Sequence, residues 1–156
     1  MLVLLSEVTP CIAGRLPIKI KPHPCMAREN LGQIGAPSHA DWNWVNGILS
    51  DHLKDACLFC TNASSTALEA LAAGVPVLLI GNRQSVTWNP IPKSIPDEVW
   101  ELCFSAEEFE KGIEKLIQLS PDYMKDVSWR IRDEYFTKPD DNNVRALLGL
   151  NDIRGN

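Results

Sequence analysis

At 156 residues the chain is one domain's worth, long enough to bury a real core but short for a two-domain enzyme. With 45% hydrophobic and 22% charged residues it is neither disordered nor fibrous in composition. The formal charge of −5 is uneven, residues 1–96 carrying seven Lys/Arg against six Asp/Glu and residues 97–156 eight against fourteen. No Lys/Arg cluster could displace counterions from a phosphate backbone, so nucleic acid is not expected as a partner.

The opening Met1–Leu5 is apolar but is stopped by Glu7 and Pro10, too short for a secretory leader or a spanning helix. Apolar residues at 2, 4, 5, 8, 12 and 16 fit an amphipathic helix starting at the first residue, as expected of the second half of a longer protein. Leu16–Lys21 reads as a strand ended by Pro22 and Pro24, which cannot donate to a ladder. A weak apolar patch at Leu31–Ile34 suggests a short second strand, and Trp42–Lys54 a helix behind the cap residue Asp41.

A strand is expected at Ala56–Cys60. The Ala/Leu-rich run Ser65–Ala73 follows as a helix, with Thr66-x-x-Glu69 as a capping box and Gly74 as its stop. Val75–Ile80 is aliphatic throughout, the pattern of a strand buried on both faces. Three prolines, Pro90, Pro92 and Pro96, make residues 82–98 a loop. Val99–Phe104 is a further strand, Ser105 caps a helix with Glu107 and Glu108 at its positive end, and Pro121 opens another that keeps helical spacing to about residue 136. Residues 1–137 thus form the domain and residues 138–156 a polar tail.

Alternating strands and helices imply an α/β fold, a Rossmann-like parallel sheet with helices on both faces. In such sheets ligands gather at the carboxyl ends of the strands. Two polar tips are expected there. One is His23, pinned between prolines, whose ring can donate to a phosphate oxygen. The other is Ser64-Ser65-Thr66 at a helix start, where backbone N–H groups and hydroxyls can hold an anion, with Glu69 one turn on to accept from sugar hydroxyls. The plain alternatives are an ordinary capping box, a loop histidine satisfied by backbone, and a solvated Lys21. The two tips count together because they are inferred to end adjacent strands.

Cys11, Cys25, Cys57, Cys60 and Cys103 are an odd set in apolar surroundings, which suits reduced cytosolic thiols. Cys57 and Cys60 match C-x-x-C, but a strand points them to opposite faces, so no metal site is expected.

The segments Lys21-Pro22-His23-Pro24 and Thr61–Val77 together resemble the carboxyl-terminal nucleotide-sugar-binding domain of GT-B glycosyltransferases. Their histidine-proline and serine-serine/threonine motifs are similar to those of bacterial sialyltransferases, Kdo transferases and glycerophosphate transferases. The resemblance covers roughly residues 1–120.

That resemblance implies a single GT-B half-domain that contacts a CMP-, CDP- or UDP-linked donor through Lys21, His23, Pro24, Thr61, Ser64, Ser65, Thr66 and Glu69. His23 is the catalytic residue, easing departure of the nucleotide, and no metal or other cofactor is implied. The acceptor is a glycan or a lipid-linked sugar, and the general base comes from an amino-terminal domain that this chain lacks. The implied location is cytoplasmic, with peripheral attachment to the inner membrane as an option. The Glu-x7-Glu pattern of many retaining enzymes is missing, since Asn62 stands seven residues before Glu69 and Thr61 eight. Gln33–His39, expected to face the base, holds nothing that chooses cytosine over uracil. A nucleotide-sugar epimerase domain and a non-catalytic nucleotide-binding domain are the alternatives.

Overall fold

A computed structural model of the chain describes residues 17–23, 42–62, 64–136, 138, 140 and 144. The expected helix at the amino terminus, the strand at Leu31–Ile34 and nearly all of the polar tail lie outside the described residues.

The described residues form two parallel sheets. In the smaller, β1 (Ile18–Ile20) pairs with β2 (Trp42–Trp44), Ile18 opposite Trp42 and Ile20 opposite Trp44. A helix over Trp42–Lys54 was the expectation, and only its end is helical, as α1 (Leu49–Leu53). The Val45 N–H extends the strand pairing by donating to Ile20 O at 2.9 Å, and Gly47 at φ +99° then turns the chain. Apolar spacing within one segment cannot register a partner strand more than twenty residues away, and tryptophan favours strands.

The larger sheet has the order β3 (Phe59–Thr61), β4 (Val77–Ile80), β5 (Trp100–Cys103), all parallel. Its connections are α2 (Thr66–Ala72) between β3 and β4, and a loop with a 3-10 turn at Asp97–Val99 between β4 and β5. Two helices follow, α3 (Ala106–Leu116) and α4 (Pro121–Tyr135).

β4 organises the core because all four of its side chains are buried. Val77 and Leu79 face one layer with Ala67, Ala70 and Leu71 of α2, Ile91 and Ile95 of the loop, and Met124, Val127 and Ile131 of α4. Leu78 and Ile80 face the other with Cys103 and with Phe109, Ile113 and Leu116 of α3. The architecture is therefore α/β, with helices on both faces of parallel strands.

The helix ends follow local chemistry. Ser105 Oγ accepts from Glu108 N, and Ser120 Oγ accepts from Tyr123 N with Pro121 in the first turn. α2 closes with Gly74 N donating to Leu71 O and Val75 N to Ala70 O, the paired bonds of a glycine-terminated helix. Among the described residues, no helix is long and apolar enough to cross a membrane.

Candidate functional site

The three strands of the larger sheet run the same way, so their carboxyl ends share one edge. There β3 ends at Thr61, β4 continues into Gly81 and β5 into Phe104.

The β3 exit carries the hydroxyl cluster expected from sequence. Thr61 is buried at the strand's last position, and Asn62 beyond it is exposed. Ser64 Oγ and Thr66 Oγ1 share a hydrogen bond of 2.8 Å, and the Thr66 N–H points to Ser64 Oγ at 3.4 Å. Ser65 occupies the cap position of α2 in a helical conformation (φ −59°, ψ −18°), its side chain exposed and making no capping bond. The Thr66/Glu69 capping box is accordingly not formed. Ser64 and Ser65 carbonyls accept from Ala67 N and Leu68 N at 3.0 Å each, so the first-turn N–H groups are engaged inside the turn. An anion here would meet hydroxyls first, above all that of Ser65. Glu69 is exposed and three positions from Thr66, on the helix side turned away from Ala67, Ala70 and Leu71.

Lys21 and His23 follow β1 in the smaller sheet, Lys21 half-buried and His23 exposed; Pro24 lies outside the described residues. Among the described residues, β1 is hydrogen-bonded to β2 and β3 to β4, so the two polar tips do not end adjacent strands of one described ladder. Thr61, Ser64, Ser65, Thr66 and Glu69 are brought together by one connection, and Lys21 and His23 by another.

Sequence reasoning passed over the exit of β4. Gly81 N donates to Cys103 O at 2.8 Å, and the Phe104 ring lies so close that a methyl group at Gly81 would come within 2.3 Å of its Cε1. Residues 82–87 close on themselves: Asn82 N donates to Thr87 Oγ1 at 2.9 Å, Thr87 Oγ1 to Asn82 O at 3.4 Å, and Gln84 N to Asn82 Oδ1 at 2.9 Å. Arg83 reaches Glu108, and Trp88 is 61% exposed at the loop's base. The available signal was position alone, a polar run directly after the most aliphatic strand.

Of the described thiols, Cys57 is exposed ahead of β3, while burial pushes those of Cys60 and Cys103 up to about 12. Among the described residues, no three His, Cys, Asp or Glu side chains are grouped to hold a metal ion. A groove of about 440 Å³ opens at the opposite, amino-end edge of the sheet, between Cys57, Gly74, Pro76, Ile117, Met124 and Arg132. It contains none of the residues expected from sequence. Compared with known protein families, with characterised proteins and with solved structures, the chain finds no match.

Proposed function

We propose that the chain is the donor-binding half of a GT-B-type glycosyltransferase, transferring a sugar from a CMP-, CDP- or UDP-linked donor to a glycan or lipid-linked acceptor. The observation that carries this reading is the β3–α2 connection. It sets Ser64, Ser65 and Thr66 within one turn at the carboxyl edge of a parallel sheet, where small-molecule ligands of such folds bind.

In this reading the Ser65 hydroxyl, with the Ser64/Thr66 pair rotated toward the ligand, donates to the donor phosphate. Glu69 accepts from ribose or sugar hydroxyls one turn further along. His23, at the exit of β1 in the smaller sheet, would have to reach the same phosphate from outside the β3–β4–β5 ladder to stabilise the charge that collects on the departing nucleotide, an electrostatic contribution to catalysis. The acceptor hydroxyl loses its proton to a carboxylate of a second domain. The protein works in the cytoplasm on surface polysaccharide or glycan assembly.

Calorimetric titration with CMP, CDP, UDP and cytidine tests the reading. Nucleotides should bind and cytidine should bind more weakly. Ser65→Ala should weaken the nucleotides by about 1–2 kcal/mol, the scale of a charge-assisted hydrogen bond. Equal affinity for cytidine and CMP, or no nucleotide binding at all, removes the proposal and leaves a non-catalytic interaction domain.

A further inference from the structure

The groove at the amino-end edge of the larger sheet has two chemically different walls. One is apolar, made by Pro76, Leu116, Ile117 and Met124, and Ile117 remains 46% exposed there. The other is a single face of α4, where Lys125, Ser128 and Arg132 follow one another at spacings of three and four residues. Residues 97–156 carry fourteen Asp/Glu, yet among the described residues that line the groove there is no acidic side chain.

Both cations of the polar wall have charge to offer. Arg132 Nε donates to Ala72 O at 2.5 Å, which holds the guanidinium at the end of α2, and neither Nη group is bonded among the described residues. Lys125 has no carboxylate within ion-pair distance among the described residues. The Ser128 hydroxyl is already engaged, donating to Lys125 O at 2.8 Å, so recognition at this wall falls to the two charges. The groove's volume of about 440 Å³ is that of a small-molecule site.

We infer that the groove binds a monoacyl anion, a single aliphatic chain carrying a carboxylate or phosphate head. The chain lies along Pro76, Leu116, Ile117 and Met124, and the head pairs with the Arg132 guanidinium while Lys125, on the same helix face, adds charge. A head group alone would meet only water-screened cations, which hold an anion weakly. A neutral chain would leave both cations unanswered. The groove lies at the opposite sheet edge from the Ser64–Thr66 turn, so this site stands apart from the nucleotide reading.

Calorimetric titration of the full chain with octanoate, decanoate, decyl phosphate and 1-decanol, each below its aggregation limit, tests this. Decanoate or decyl phosphate should bind, the tighter of the two identifying the head group, and decanol should bind about tenfold more weakly or worse. Octanoate should be weaker than decanoate by about tenfold, the effect of two fewer buried methylenes. Lys125→Gln, at an exposed position, should weaken decanoate by about threefold and leave decanol unchanged. Saturating decanoate should slow alkylation of the exposed Cys57, which lines the groove, as read by mass spectrometry on the peptide that carries it. Equal affinity for decanoate and decanol, or alkylation of Cys57 unaffected at saturation, overturns the assignment. So does attachment to phosphatidylglycerol vesicles without binding of either free anion, which would make this face a membrane contact.

Discussion

Where the chain leaves β4, the backbone of Gly81 passes against the edge of the Phe104 ring, and a Cβ there would meet Cε1 at 2.3 Å and Cδ1 at 2.6 Å. No carbon pair tolerates that separation, so Gly81→Ala must push the ring or the strand exit aside, at about 1–3 kcal/mol. Urea unfolding of Gly81→Ala, Phe104→Ala and the double variant measures this. The alanine should cost far less once the ring is gone, and strictly additive losses would show that the ring is not the obstacle. The same scale explains what was legible at the site. Ser64, Ser65, Thr66 and Glu69 fall within six consecutive residues, so their grouping could be read from the letters. The Arg83–Glu108 contact depends on β4 and β5 lying side by side, which no local pattern announces.

At the scale of elements, the segments with their own punctuation were readable. α2 has an Ala/Leu run and Gly74, α3 has Ser105 with two acidic residues in its first turn, and α4 has Pro121. The Ser120 cap can be checked directly. Its Oγ accepts from Tyr123 N at 3.1 Å, so Ser120→Ala should remove about 1 kcal/mol and lower the melting temperature by a few degrees, with Ser120→Asp preserving it. An unchanged melt for the alanine variant would mean that Pro121 alone starts the helix. The elements that escaped sequence reading are short and owe their form to distant partners. Trp42–Trp44 is a strand because β1 offers it a ladder, and three residues are too few to show a period. The capping box at Thr66 failed for the opposite reason: a nearer partner, Ser64, took the N–H that the pattern assigned elsewhere.

Across the whole molecule, the alternation of aliphatic strands and amphipathic helices was enough to give the α/β class, because β4 needs cover on both sides. The split of the strands into two sheets was not readable, since it depends on which edges meet in space. One global property follows from the covered thiols. Cys60 and Cys103 are held protonated to about 12, against 9.0 for an ordinary thiol, so between those values the unfolded chain has released protons that the folded chain keeps. The stability these two thiols contribute is then fully present below pH 9 and is lost as pH rises toward 12. Urea midpoints measured under reducing conditions between pH 8 and 10.5 should fall more steeply for the wild type than for a Cys60→Ala/Cys103→Ala variant; parallel slopes would refute the thiol origin.

α4 lies against α2 through Met124, Val127 and Ile131, and Arg132 Nε donates to Ala72 O at 2.5 Å across a span of 60 residues. Seven residues of α2 could not stay helical unaided in water, so the steadiness of the serine-bearing connection at its head is borrowed from α4. A version shortened ahead of Pro121 would keep every residue of that connection and still lose its shape.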